Sequence, residues 1–557
     1  MALYREYLDV QGDFLNYEDF YKNFRIKKPE GFNFAFDVVD RLGRDEPDRL
    51  ALLWCNTAGD EKRVTFGEMS RLSSKAANML RTQGVRRGDR VLLILKRHHE
   101  FWPVLMGLHK LGAIGVPATH LLTKKDVVYR VQHAHITAVV CTSEGSVADH
   151  VDEALTKIPQ LAVRIIIRKP RGNWQSYESL MDAASDVYTP DGMIPCDDDP
   201  LLLYFTSGTT GMPKMVVHNH WYPLAHIITA VYWQQDIDGG LHLTISETGW
   251  AKSVWGKLYG QWLAGSAVFA YDFDRFVPTE ILEMIGKYQI TTFCAPPTMY
   301  RFLLQEDFAK YNFSSLKHCS VAGEPLSPDM YEEFLKRTGL QMREAFGQTE
   351  MVVLLATFPW IKPNPGSMGK PSPLFDVDLI NDDGESCQPG VPGEIVIRTH
   401  HGAPMGMFVG YDNDEDMTRS VWADGVYHTG DLAWKDEWGY YWYISRKDDV
   451  IKSSGYRIGP FEVESALAEH PAVLESAITG APDPLRGQVV KATVRLKPGY
   501  TPSDALKKEL QEHVKNVTAP YKYPRIIEFV DELPKTISGK IRRVELREEA
   551  RGASAPS

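Results

Sequence analysis

From Leu201 to Lys214 the chain reads Leu-Leu-Leu-Tyr-Phe-Thr-Ser-Gly-Thr-Thr-Gly-Met-Pro-Lys. An apolar, strand-like stretch runs into a loop with hydroxyls at Thr206, Ser207, Thr209 and Thr210, glycines at Gly208 and Gly211, and a lysine at Lys214. Glycines let successive backbone N–H groups converge on one point, the geometry that cradles phosphate oxygens. The hydroxyls add donors and Lys214 adds a compact positive charge. The spacing differs from G-x-x-x-x-G-K-[ST], which excludes a P-loop nucleotidase. On composition alone, a Ser/Thr-rich surface loop is an equal alternative.

Other stretches decide between the two. Thr206–Lys214 resembles the phosphate loop of the adenylate-forming superfamily, which includes acyl-CoA synthetases, adenylation domains and luciferases. Further signatures follow in order: Ala322-Gly-Glu-Pro325, Glu344-Ala-Phe-Gly-Gln-Thr-Glu350, Tyr427-His-Thr-Gly-Asp431, Arg446-Lys-Asp-Asp449, Lys452-Ser-Ser-Gly-Tyr-Arg457 and Pro534-Lys-Thr-Ile-Ser-Gly-Lys540. The likeness covers nearly the whole chain. It is nearest to medium-chain acyl-CoA synthetases through Ser246-Glu-Thr-Gly-Trp250, Tyr456-Arg-Ile-Gly-Pro460 and Ala519-Pro-Tyr-Lys-Tyr-Pro-Arg525.

The resemblance implies an ATP-dependent, AMP-forming carboxylic acid–CoA ligase that works through an acyl-adenylate, with Mg²⁺ as cofactor and coenzyme A as co-substrate. Adenylation joins two anions, so neutralising and positioning charge carries most of the catalysis. By resemblance, Lys540 bridges carboxylate and α-phosphate, while Thr206 and Lys214 serve the phosphates along with Ser207, Gly208, Thr209, Thr210 and Gly211. Glu350 is the expected Mg²⁺ ligand, because that ion takes hard oxygen donors. The nucleotide is expected against Gly323, Glu324, Pro325, Glu344, Ala345, Phe346, Gly347, Gln348 and Thr349, with Phe346 stacking on the base. Asp431 is expected to hold the ribose, with Arg446 as a further contact. CoA falls to Ser454, Gly455, Tyr456, Lys515 and Tyr523. The acyl pocket falls to Trp250, Val321, Gly323 and Thr349, with His220 near its mouth. Lys252 and Lys257 are unusual in this stretch; either could reach the pocket and favour a short, branched or polar acid, but the expectation is that they face solvent on the outer side of the helix. Two departures stand out: Ser445 replaces the usual Gly before the hinge, and Phe346 replaces the commoner Tyr.

These residues need a scaffold, and the sequence outlines one. Thr65 and Glu68 have capping-box spacing, and Phe66, Met69, Leu72, Ala76 and Leu80 repeat near helical period, so a helix starts at Thr65. Short apolar runs without alternation recur at Val91–Leu95, Ala138–Cys141, Arg164–Ile167, Leu201–Phe205 and Ala267–Tyr271. Such runs suit strands buried on both faces. The fold class is therefore α/β: a large N-terminal domain of αβ-layered sheets over 1–445 and a small α+β domain over 449–557 beyond a charged linker; the resemblance implies that 446–448 is a hinge centred on Asp448 and that the small domain is mobile. The small domain is read as a helix over Phe461–Glu469, a strand over Val489–Leu496 and a helix over Ser503–Val517. Gly249–Trp262 reads as one Trp- and Gly-rich helix, which by resemblance lines the acyl pocket.

Composition narrows the class. At 557 residues the chain exceeds one compact core. A net charge of -11 disfavours nucleic acid as partner. No apolar run reaches the ~20 residues of a membrane span. Six scattered cysteines form no metal-binding cluster, and an N-terminus carrying Glu6, Asp9 and Asp13 is too acidic for a transit peptide, so the expected location is cytoplasmic. The partners are a small carboxylic acid, ATP and CoA, and the likeness admits a homodimer. A medium-chain, branched or benzoate-like acid is expected. The rival readings are an aryl-acid or carrier-loading adenylating enzyme, and a nucleotide- or acyl-binding protein without turnover.

Overall fold

The computed structural model describes residues 2–10, 12–206, 213–400, 402–454, 456–535 and 541–552. Two large sheets carry most of the N-terminal part. In one, the strands Ile114–Pro117, Arg90–Ile94, Ala138–Thr142 and Val163–Ile167 lie parallel beside the Pro200–Thr206 and Lys214–Asn219 hairpin. In the other, Met342–Phe346, His318–Ala322, Thr292–Ala295, Leu241–Thr244, Ala267–Asp272 and Leu50–Asn56 run parallel in that order. Their runs are apolar because helices cover both faces; Ala138–Thr142 and Ala267–Asp272 are buried at every position.

The expected helix spans Phe66–Thr82, and its capping box forms in full between Thr65 and Glu68. Gly249–Trp262, by contrast, is not one helix. It breaks at Leu258 (φ -153°, ψ -97°) into Ala251–Lys257 and Tyr259–Ala264. The Leu258 amide donates to Gln261 Oε1 at 3.2 Å, so a side chain replaces the helical carbonyl acceptor. Gly256 and Gly260 let the two pieces press on their neighbours: a Cβ on Gly256 would stand 1.8 Å from Thr244 Oγ1.

The two large sheets meet at the C-terminal ends of their parallel strands. His98, just past one strand, bonds through Nδ1 to Asp272 Oδ2 at 2.6 Å, at the end of a strand in the other sheet. Its Nε2 reaches Thr142 Oγ1 at 2.9 Å. The crevice outside carboxyl strand ends is where open α/β sheets bind ligands. A third, antiparallel sheet of Asp376–Ile380, Gly393–Arg398, Val426–Lys435, Trp422–Ala423 and Tyr441–Arg446 abuts this edge. Arg446 ends that sheet, and Ile451 opens a fourth, built from Ile451–Ser453, Tyr456–Ile458, Val473–Asp483, Gly487–Leu496 and Ile526–Phe529 with its own apolar core. The helices Pro460–Ala468 and Asp504–Val517 pack on it, the second capped by Ser503 Oγ accepting from the Leu506 amide at 3.1 Å.

Candidate active site

The signature residues converge at this shared edge. Asp431 and Arg446 are opposite partners on paired strands, 3.6 Å apart at their charged ends. Asp431 is buried, and two side chains aim its carboxylate: Gln348 Nε2 donates to Oδ2 at 2.6 Å and the Tyr443 hydroxyl to Oδ1 at 3.3 Å. Gln348 is itself fixed, donating to the Thr429 carbonyl at 2.8 Å and accepting from the Tyr427 hydroxyl at 3.0 Å. The Phe346 and Tyr443 rings lie 6.3 Å apart. Gly323 has φ +102°, a left-handed conformation that suits glycine. Glu324 accepts from the Thr298 hydroxyl at 2.7 Å, at the start of the helix Pro297–Leu303. Glu344 is buried and accepts from the Leu326 amide at 3.2 Å, tying down the loop after Pro325; burial drives its carboxyl well above the usual range. Ala345 is buried in the same strand.

Thr206 and Lys214 stand opposite each other at the end of the hairpin. Ser207, Gly208, Thr209, Thr210 and Gly211 lie outside the described residues. Lys214 Nζ sits 5.0 Å above the Tyr411 ring, and the Tyr411 hydroxyl donates to Glu350 Oε1 at 2.8 Å. The expected phosphate lysine and the expected metal carboxylate thus flank one tyrosine. Thr349 presents its carbonyl to His218 Nε2 at 2.8 Å, and His218 stacks on Tyr222 at 3.7 Å.

On the acyl side, Trp250 caps the Ala251–Lys257 helix and Val321 is buried at the end of its strand. The solvent-facing expectation for Lys252 and Lys257 fails. Lys252 Nζ bonds to the Ala322 carbonyl and lies 3.4 Å from where a Gly323 Cβ would be. Lys257 is 2 % exposed, and burial lowers its amine to about 7. The helix packs against the strands Leu241–Thr244 and Ala267–Asp272, which buries Lys257 and leaves Lys252 half-buried. His220 is fully buried, 6.2 Å from the His109 ring, rather than at a mouth; burial lowers it to about 4. The Trp255 indole leans on Gly347, where a Cβ would stand 2.6 Å from Cη2.

In the turn over 447–450 that links the third and fourth sheets, Asp448 is exposed, 3.7 Å from Arg446 Nε. Ser454 (φ +50°) accepts from Arg486 at 3.0 Å, and Tyr456 stacks on Tyr521 at 4.2 Å. Lys515 Nζ lies 4.4 Å over the Tyr523 ring, whose hydroxyl accepts from Arg525 at 2.7 Å. Gly455 and Lys540 fall outside the described residues.

The residues present fit a nucleotide and one divalent cation. Glu350 keeps Oε2 clear of any described donor. Among the described residues no three His, Cys, Asp or Glu side chains gather as a metal cage. A single carboxylate reached through Tyr411 from Lys214 suits Mg²⁺, which completes its shell with phosphates and water. Sequence reasoning missed Tyr411, Tyr443, His218 and the Trp255–Gly347 contact, each made across more than ten residues of chain.

The AMP-binding enzyme family profile matches residues 39–411, and the AMP-binding enzyme C-terminal domain profile matches 462–540. The mitochondrial acyl-coenzyme A synthetase ACSM3 of Mus musculus is 43 % identical over 98 % of this chain and 96 % of its own. Human mitochondrial ACSM5 is 43 % identical over 94 % and 91 %. Among solved structures, the anthranilate CoA ligase AuaEII in complex with anthranoyl-AMP superposes with a TM-score of 0.86 at 28 % identity, covering 95 % of this chain and 99 % of that one. A benzoate CoA ligase from Burkholderia xenovorans LB400 gives 0.81 at 28 %, covering 93 % and 100 %.

The relatives' names correct the cytoplasmic expectation, since these synthetases are named mitochondrial. The acidic N-terminal residues behind that expectation belong to the fold: Glu6 accepts two bonds from Arg41 at 2.8 Å, and Asp13 pairs with Arg5 at 3.0 Å. They carry no information about location. The chain is a member of the AMP-binding enzyme family, an AMP-forming acid–CoA ligase that consumes ATP and CoA.

Proposed function

We propose that the acid is of the medium-chain, branched or benzoate-like class, and that the edge residues divide the two half-reactions as follows. Gln348 and Tyr443 hold Asp431 as the acceptor for the ribose hydroxyls. Phe346 and Gly323-Glu-Pro325 flank the base. Lys214 and the phosphate loop take the phosphates, and Glu350 holds Mg²⁺, which would neutralise phosphate charge. Lys540 bridges the two anions as the acid attacks. Trp250, with Trp255 and Lys252 behind it, bounds the acyl group, and an aromatic wall suits a compact or ring-bearing chain. The domain over 449–557 turns about Asp448 between adenylation and transfer, bringing Ser454, Gly455 and Tyr456 to CoA beside Lys515 and Tyr523. A cation and aromatics suit a phosphate and an adenine.

The observation that carries the reading is the Gln348 bridge between Thr429 and Asp431, which joins two signatures 83 residues apart into one acceptor site. The likeness to an anthranilate CoA ligase and a benzoate CoA ligase supports the ring-bearing end of the acid range. The test is a panel from acetate to decanoate with 2-methylbutyrate and benzoate, scored by CoA-dependent AMP formation. A preference confined to acetate would overturn the acid class.

A further inference from the structure

Beside the acyl wall lies a pair of residues that these roles leave unused. The strand Ile114–Pro117 runs into Ala118, Thr119 and His120, and the strand Leu241–Thr244 of the other sheet runs through Glu247 to Trp250. The two loops touch backbone to backbone: a Cβ on Gly249 would stand 2.3 Å from the Ala118 carbonyl carbon and 2.4 Å from the Thr119 nitrogen. Glu247 stitches them together. Its Oε2 accepts from the Thr119 hydroxyl at 2.9 Å, and its Oε1 accepts both the His120 amide and His120 Nδ1 at 3.0 Å.

Burial works against ionising Glu247, but the His120 bonds and charge together with Arg97 outweigh it, and the carboxyl lies below its ordinary range. An ionised carboxylate only accepts, so His120 Nδ1 carries the proton and the neutral ring keeps its lone pair on Nε2. That nitrogen has no hydrogen-bond partner among the described residues. The His120 side chain is 16 % exposed and its neighbour Leu121 52 %, so the imidazole is partly open to solvent and not sealed within the core. The same turn of chain holds the acyl wall, since the Trp250 amide donates to the Glu247 carbonyl at 3.3 Å.

We propose that His120, oriented by Glu247, is the general base of the second half-reaction and takes the proton from the CoA thiol as it attacks the acyl-adenylate. The inference rests on the reading of Trp250 as the acyl wall. An alkyl thiol such as cysteine ionises near ~8.5, so a neutral solution leaves it mostly protonated and a poor nucleophile. Nε2 accepts the thiol proton, the sulfur lone pair forms the S–C bond, and the C–O bond to phosphate breaks with its electron pair leaving on AMP. The imidazolium then gives its proton to water. Glu247 lies against the developing positive charge; the other charges facing Glu247 are Arg97 and Lys257, and Asp272 faces that pair in turn.

The test separates the half-reactions in the full chain. Acid-dependent ATP–pyrophosphate exchange reads adenylation, and single-turnover thioester formation from supplied acyl-adenylate and CoA reads transfer. His120→Asn keeps exchange within about threefold and lowers transfer ~100-fold or more near pH 7, the usual worth of a general base. The deficit shrinks toward about pH 9 as free thiolate accumulates, and added imidazole restores part of the rate in His120→Ala. Glu247→Gln lowers transfer less and shifts its pH profile. Transfer within about threefold of the parent, or a deficit equal at every pH without imidazole rescue, overturns the proposal. So does an equal loss of exchange and transfer. Trp250→Ala keeps the underlying reading separate: if no acid changes its KM, the pocket assignment fails while the His120 result stands.

Discussion

Lys257 places an ammonium where the fold solvates it poorly, and its removal gives a quantitative test. Burial, with Arg97 nearby, lowers the amine from its ordinary value of 10.5 to about 7, although Asp272 and Glu247 pull it back up. Above pH 7 the unfolded chain holds a proton here that the folded chain has largely released, so stability rises with pH between about 7 and 10.5 and falls as pH drops through that window. The penalty is ~4 kcal/mol at pH 7 and ~2 kcal/mol at pH 9, at ~1.4 kcal/mol for each pH unit. Lys257→Met nearly conserves volume and removes the charge. The variant is therefore more stable than the parent by ~4 kcal/mol at pH 7, and the gap halves by pH 9 because the parent gains stability while the variant does not. Urea midpoints of both proteins at several pH values, taken with a common slope, measure the gap. A gap that stays constant with pH, or a parent more stable at pH 7, would refute the reasoning.

Four further outcomes follow from the site. Gln348→Leu strips a donor from Asp431 and leaves the Tyr427 hydroxyl without its acceptor; the KM for ATP should rise ~10-fold, equivalent to ~1–2 kcal/mol, and an unchanged KM in the exchange assay would count against the ribose assignment. Glu350→Gln should raise the Mg²⁺ concentration for half-maximal adenylation ~10-fold or more, read by metal titration; an unmoved midpoint argues for another ligand. Gly347→Ala puts a methyl 2.6 Å from Trp255 Cη2, so calorimetry should find a loss of ~1–3 kcal/mol and acid saturation curves should shift. Lys540→Ala should abolish acyl-adenylate formation while sparing thioester formation from supplied adenylate; equal damage to both halves would argue against the moving domain.

The scaffold was legible where the signal is local. Thr65 and Glu68 lie three residues apart and announce the Phe66–Thr82 helix outright, and the apolar runs at Ala138 and Ala267 are strands within a residue of their expected ends. The signatures named most residues that gather at the strand ends, because the chemistry of a phosphate loop or an acceptor carboxylate is written in a few adjacent side chains. Their partners were not legible. Tyr411 reaches Glu350 over 61 residues and His218 reaches Thr349 over 131, and nothing local to either marks the contact. The break at Leu258 and the burial of His220 and Lys257 were missed for a related reason. The break and the buried Lys257 follow from a helix packed into the core, and His220 is covered at its strand end beside His109, tertiary arrangements that helical periodicity does not encode.

The contact between Trp255 and Gly347 has a kinetic consequence. The indole leans on a backbone position three residues before Glu350, where no side chain cushions it. On the proposed assignments, an acid that fits poorly and displaces the indole pushes directly on the loop that carries Glu350. Discrimination between acids should then appear in turnover as much as in affinity: a wrong acid binds and is activated slowly, while a right one lets the ring settle and the loop hold its reacting geometry.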